Sequence, residues 1–388
     1  AGRLPEYWEV LAFHFSLAEE WNHALNYQLQ AGSKAQDVYA NEAAIHHLRQ
    51  ALKSAERVPD SQDRQLTAHV RLSQVLATMG NYDEALTHNY TALALVIVAS
   101  STTEEMACRL ADLCCQVASI YEKKSDYSSA LNWLRGGLIA LEGMVAIEGA
   151  RARLLGAGIY HRQGKNSEAI EWCYKSLDIA GTVGGREGQS AIAHTNYLLG
   201  LIHSRLGDIA RTIEFCQKSV DIYEQIEDIS GASQAYINLA NAYFDRGDWP
   251  KGTEYYLQAL RIKRKIGDVY HQAMITLNLG QAYLDQGDLD LADSFNRQSL
   301  DMWQELGSTY AIALLHNNMG AVALRRKDPD NALALLQKSL ELFQQIHSGD
   351  FLSEVYRHMA EAHLSRAELD AALSCAQRSL ILAQEQEM

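Results

Sequence analysis

The sequence predicts an all-α solenoid assembled from stacked helix-turn-helix units, and three observations predict it. First, Gly200, Ala240, Gly280, Gly320 and Ala360 stand forty residues apart, each behind an apolar residue: Leu199, Leu239, Leu279, Met319 and Met359. Second, seven residues after each small anchor comes Gly207, Gly247, Gly287, Lys327 or Ala367, followed by an acid at Asp208, Asp248, Asp288, Asp328 or Glu368. That is a recurring turn. Third, position twelve after the anchor is small (Thr212, Gly252, Ala292, Ala332, Ala372) and position twenty is apolar (Val220, Leu260, Leu300, Leu340, Leu380). Self-similarity at a fixed period means stacked units rather than one globular core.

Residues 233–268 show one unit most clearly. Ala235, Leu239, Ala242 and Tyr243 recur at helical spacing up to Gly247-Asp248, and Tyr255, Tyr256, Ala259, Leu260, Ile262 and Ile266 do so beyond it. Small residues at Ala240 and Gly252 let two helix axes approach, while Tyr243 and Tyr256 fill the space beside them. Asp248 and Asp328 fit N-caps, and Pro250 and Pro329 sit just inside a second helix, where the missing N–H is harmless. The other two prolines, Pro5 and Pro59, fall at a helix start or in a loop.

This pattern resembles the tetratricopeptide repeat: Asn238-Leu239-Ala240, Tyr243, Gly247-Asp248, Gly252, Tyr256 and Ala259 lie where that family keeps its packing residues. The same unit recurs upstream with looser spacing, as Ser73 with Gly80-Asn81-Tyr82 and Ala85, Ala118 with Ser125-Asp126-Tyr127 and Ala130, and Ala157 with Gly164 and Ala169. The forty-residue unit is longer than the family's commonest form, and it lacks both the usual early tryptophan and the usual closing proline, so longer second helices are expected. The resemblance implies a right-handed superhelix of about nine or ten repeats. Residues 1–57 read as atypical N-terminal repeats, 58–180 as irregularly spaced repeats and 181–388 as regular ones, in one continuous solenoid. In the first of these, Tyr7 to Glu20 with Trp21 to Tyr27 forms a hairpin, and Tyr39 opens a helix running to about Arg57. The segments Trp21 to Ala31 and Tyr39 to Leu52 are similar to the start of the helical-repeat region in bacterial STAND-type regulators and some class III adenylate cyclases. A first residue of Ala1 agrees with a segment of a larger protein, or with a processed start.

Four glycines, Gly181, Gly184, Gly185 and Gly188, interrupt the array and read as a long inter-repeat loop. Residues 99–105, rich in Ser and Thr, read as a second loop with N-caps for the next helix. The net charge of −14 disfavours partners that present a dense phosphate surface, so neither nucleic acid nor an anionic membrane is expected. Arg261, Lys263, Arg264 and Lys265, and likewise Arg325-Arg326-Lys327, read as solvated charges complementing helix C-termini. Six cysteines without a CxxC pair form no disulfide framework; Cys173 and Cys216 read as small core hydrophobes, and a reducing, cytoplasmic setting is expected. No signal peptide or membrane span is legible, since Leu93 to Ala99 is too short to cross a bilayer.

Chemistry is absent from the motifs. There is no Walker loop, the Gly184 to Gly188 stretch lacks its order, there is no HExxH, and His203 and His363 stand where other repeats carry Tyr243 and Tyr283. No catalytic residue, metal ligand or cofactor is therefore expected. One constellation stands apart: Asn238, Asn278 and Asn318 are forty apart and project from equivalent points of three successive first helices. In tetratricopeptide arrays the first helices line a concave groove, and the resemblance implies that asparagine there grips the backbone of a bound peptide, its amide offering donors and an acceptor. Gln234, Asn241, Gln281, Asn317 and His194 would flank this ladder, with Asp245, Asp285, Arg205 and Arg325 one turn on. The alternative is that the asparagines bond to neighbouring repeats. Chaperone-binding members clamp a carboxylate with Lys and Arg, but the corresponding places here hold Ile237, Leu277 and Asn317, then Asn241, Gln281 and Ala321.

The function expected is thus a non-catalytic module that binds a protein or peptide segment in its groove. Its setting would be the sensor or scaffold region of a bacterial signalling or regulatory protein, whose other domains are further candidate partners. The alternative is a small-molecule sensing arm of a STAND-type regulator.

Overall fold

Amphipathic periodicity becomes helix throughout. The computed structural model describes residues 4–38, 40–99 and 102–387, and every regular element among them is helical. A 3-10 turn, Leu4–Tyr7, precedes α1 (Trp8–Leu17), α2 (Trp21–Asp37), α3 (Asn41–Ala55), α4 (Gln62–Thr78), α5 (Tyr82–Ala99), α6 (Thr103–Lys123), α7 (Tyr127–Ala140), α8 (Ile147–Arg162) and α9 (Asn166–Val183). Then come α10 (Gly185–Arg205), α11 (Ile209–Gln225), α12 (Ile229–Asp245), α13 (Trp249–Ile266), α14 (Val269–Gln286), α15 (Leu289–Leu306), α16 (Thr309–Arg325), α17 (Pro329–Gln345), α18 (Leu352–Ser365) and α19 (Leu369–Glu387). The chain forms two compact units, one up to Ile202 and one from His203. Within the first, α2–α3, α4–α5, α6–α7 and α8–α9 pack as hairpins; within the second, α12–α13, α14–α15, α16–α17 and α18–α19 do.

Several hairpins are closed by the same contact. The small anchor on the first helix faces the residue sixteen positions later on the second. A Cβ at Gly280 would stand 2.2 Å from Asn296 Oδ1, one at Gly320 2.8 Å from Leu336, and one at Gly32 2.9 Å from Leu48. In the α4–α5 hairpin the pair is polar, Asn89 Nδ2 donating to Ser73 Oγ at 2.6 Å. Aromatic rings reinforce the second unit with the same period: His203 stacks on Phe215, Tyr243 on Tyr255 and Tyr283 on Phe295. A serine ladder adds to this, since Ser299, Ser339 and Ser379 each donate to a carbonyl twenty-six residues earlier, at 2.8, 2.8 and 2.6 Å. Ser176 does the same in the first unit at 2.9 Å.

The turns follow the expected grammar. Gly207, Gly247 and Gly287 have φ of 74°, 81° and 82°, and the register survives at Lys327 and Ala367, both at φ 61°, where a side chain must tolerate the left-handed region. Asp208, Asp248, Asp288 and Asp328 accept from the backbone N–H three residues on. An interleaved set of turns carries equivalent caps at Asp228, Asp268 and Ser308.

Three details depart from the sequence-based expectations, and some expected positions lie outside the described residues. The glycines from 181 to 188 form no long loop: α9 and α10 are separated by Gly184 alone, and Gly188 is needed because a Cβ there would lie 2.5 Å from the Ala180 carbonyl oxygen. At the N-terminus α1 does pack on α2, through Phe15 stacked on Tyr27, but the repeat-type pairing is α2 with α3, and α2 runs on to Asp37. Tyr39, expected to open the next helix, lies outside the described residues, as do Ser100 and Ser101 of the Ser/Thr-rich stretch, whose Thr102 caps α6 at 3.0 Å. Finally, Lys263 is not a solvated charge: its side chain is 4% exposed and its Nζ lies 3.0 Å from Asp268 Oδ2. Cys173 and Cys216 are fully buried, and burial pushes both thiols up to about 12.

Candidate functional site

In the second unit the first helices α12, α14 and α16 carry the amide residues singled out above. Their apolar faces are consumed by packing, which leaves polar positions at fixed offsets from each anchor. Tyr256, from α13, is the hub: its hydroxyl donates to Asn241 Oδ1 and accepts from Asn278 Nδ2 at 3.1 Å. Burial raises the phenol above its ordinary pKa, so the hydroxyl keeps its proton and its donor role. Asn241 and Asn278 are thereby brought together across two successive hairpins. Asn238 is half-buried, and its Nδ2 is buried with no hydrogen-bond partner among the described residues.

Other members turn inward. Asn317 is 1% exposed, and Asn318 is buried too. His358 Nδ1 donates to Asn317 Oδ1 at 3.0 Å while Arg357 donates to His358 Nε2 at 2.7 Å. That arrangement requires a neutral imidazole, and burial, followed by Arg357 and Arg325, lowers His358 to about 4. The amide of Asn317 therefore ties α16 to α18. Gln234 lies 3.3 Å from His271 Nε2, whose Nδ1 is 2.7 Å from Asp268 Oδ2, the carboxylate that also holds Lys263. Gln281 donates to Asp285 at 2.9 Å. Asn241, Asp245, Asp285, Arg325, Arg205 and His194 are exposed, the last in the first unit.

The first unit holds a cleft in which His194 is the one residue among the sequence-based candidates. It measures about 490 Å³, between α6, α8 and α10. Leu154, Leu155, Leu198 and Leu201 line it, with Tyr197, whose ring meets His194 edge-on, and Glu122, Arg151 and Arg162. A second recess of about 330 Å³ shares Arg151, Leu154 and His194 and adds Arg186 and Glu187. Arg162 bonds Glu122 at 2.5 Å; burial raises the Glu122 carboxyl and Arg162 opposes that shift. The signal for these residues was present. Arg151 and His194 stand six before their anchors, as Gln234 does, and Gly158 and Leu201 stand one after, as Asn241 and Gln281 do. Variable anchor spacing upstream concealed the equivalence. Among the described residues, no group of three or more His, Cys, Asp or Glu side chains is placed to hold a metal ion, and no helix is long and apolar enough to cross a membrane.

Comparison with known proteins agrees with this architecture. Tetratricopeptide repeat families match residues 193–226, 231–305 and 310–385. No curated protein matches the sequence significantly. Among solved structures, the apo form of RapI is similar with a TM-score of 0.66 and 12% identity, over 94% of this chain and 98% of that one. A Rap protein complexed with competence and sporulation factor gives 0.52 and 13%, over 93% and 98%. A Signal Transduction ATPase with Numerous Domains (STAND) protein with a tetratricopeptide repeat sensor, from Pyrococcus horikoshii, gives 0.61 and 13%, covering 89% of this chain and 54% of that one. At these identities the likeness is one of fold. The chain therefore carries tetratricopeptide repeats across the matched segments.

Proposed function

We propose that this chain is a non-catalytic binding module that holds a segment of a protein partner along its first helices. The observation that carries this reading is the division of labour on those helices. Apolar and small positions are spent on packing, while Asn241, Asp245, Asp285 and Arg325 remain exposed at repeating offsets. A row of exposed polar groups on rigid helices suits an extended polypeptide, whose backbone repeats its donors and acceptors. The shared fold with a Rap protein complexed with competence and sporulation factor supports a ligand-binding array. Within that reading, the chain acts as the sensor or scaffold region of a larger cytoplasmic signalling protein, as in the STAND protein whose sensor has this fold.

The experiment is selection of segments from a random peptide display library, followed by calorimetric titration of the enriched peptide. Asn241→Ala and Asn278→Ala are each expected to weaken binding by about 0.5–1.5 kcal/mol. Unchanged affinity with a lowered melting temperature would assign both amides to hairpin stacking through Tyr256. The second reading, a small-molecule sensing arm, rests on the same STAND likeness. Enrichment of no peptide, with a metabolite from a small-molecule panel raising the melting temperature, would select it.

A further inference from the structure

The cleft of the first unit differs chemically from the amide row of the second, and one of its residues is unexplained by packing. Gly158 lies inside α8, where glycine costs roughly 0.5–1 kcal/mol relative to alanine. Its neighbour Gly156 has a structural reason, since a Cβ there would stand 2.3 Å from the Trp172 ring. Gly158 has no such contact: apart from its chain neighbours and the backbone of its own helix, no atom lies within 4 Å of a Cβ built on it, and it borders the cleft. Around it the charge runs against that of the whole chain. Three arginines, Arg151, Arg162 and Arg186, face two glutamates, Glu122 and Glu187, in a protein of net charge −14. Glu122 is taken by Arg162 at 2.5 Å, Arg151 reaches Glu187 only at 3.6 Å, and Arg186 has no ion-pair partner among the described residues.

We propose that this cleft receives a segment of a partner protein in which an aliphatic side chain stands next to a carboxylate. The aliphatic group sits on Leu154 and Leu198, the carboxylate meets Arg151 and, in the adjoining recess, Arg186, and the absent side chain of Gly158 lets the segment's backbone approach α8. Guanidinium groups suit this role because their fixed fork matches a carboxylate. An apolar floor with a few convergent charged groups fixes both affinity and orientation. The inference rests on the reading above that the first helices hold a polypeptide, and adds the chemistry of that polypeptide and a second place for it.

The test uses the full chain and the same display library, with capped peptides pairing Leu with Glu, with Gln or with Lys as defined probes read by fluorescence anisotropy. The Leu–Glu peptides are expected to bind, and Gly158→Leu is expected to weaken them by roughly tenfold or more, with no loss of melting temperature because the new side chain enters open space. Arg186→Glu is a second, exposed probe and is expected to weaken Leu–Glu binding while strengthening that of Leu–Lys. Equal binding of all three peptides, or affinity untouched by both substitutions, would overturn the assignment. Enrichment of peptides that respond to Asn241→Ala but not to Gly158→Leu would overturn it while leaving the proposed function standing. No enriched peptide of any composition would remove both.

Discussion

The two units are built by one packing rule and present different chemistry. In both, a small residue on the first helix faces the residue sixteen positions later, as Gly32 faces Leu48 and Gly320 faces Leu336. Yet the first-helix surface of the second unit offers amides gathered around Tyr256, and that of the first offers arginines over a leucine floor. The lesson is that hairpin packing constrains only the buried offsets. The exposed offsets are free to diverge, because a repeat's stability comes from its contacts with adjacent helices.

The comparison breaks most sharply at Lys263. The second unit buries this ammonium and compensates it with Asp268, which also caps α14 and bonds His271. Asp268→Ala would leave the charge uncompensated, and a loss of about 3 kcal/mol is expected. Hydrogen exchange should accelerate in α13 and α14 and remain as it was in α4 and α5. Uniform acceleration along the chain would mean that the units do not open separately.

A smaller effect separates two glycines. Gly280→Leu drives a side chain onto Asn296 and should cost roughly 1–3 kcal/mol, whereas Gly158→Leu, in the first unit, has open space and should leave the melt unchanged. A native melt for Gly280→Leu would contradict the anchor contact.

Acid sharpens the comparison by the least. Burial, then His88, lowers His69 to about 4 in the first unit, and burial, then Arg357 and Arg325, lowers His358 to about 4 in the second. The folded chain keeps these rings neutral where the unfolded chain takes up a proton, so it binds fewer protons between pH 6.5 and about 4. Their contribution is complete above pH 6.5 and is lost as pH falls toward 4. His69 is half-buried and its share is reduced by solvent, whereas the side chain of His358 is 8% exposed. At pH 5.5 a loss of about 1 kcal/mol is expected in the second unit, with less in the first. His358→Gln should flatten that pH dependence. An unchanged slope would show that other groups carry it.

Much of the fold was legible because packing demands repeat. Anchors, turn residues and caps recur at forty residues wherever two helices must approach and reverse. The second set of turns was equally legible, since Gly267-Asp268 and Gly307-Ser308 use the same grammar as Gly247-Asp248. The serine ladder could also have been read, because Ser299, Ser339 and Ser379 keep the period. The candidate sites were less legible. Asn238, Asn278 and Asn318 look alike in sequence, yet the first has a buried, unpartnered amide nitrogen, the second bonds Tyr256, and the third is buried.

The sequence by itself determined the repeat, its phase and the small anchors of the regular hairpins, because those depend on contacts between adjacent helices, which lie a fixed number of residues apart. Only the tertiary structure decided that Lys263 is buried against Asp268, that Asn317 serves His358, and that Arg151 is shared by the cleft Gly158 borders and the recess Arg186 lines. Those outcomes depend on how side chains from different helices share space and charge, and no periodicity specifies that.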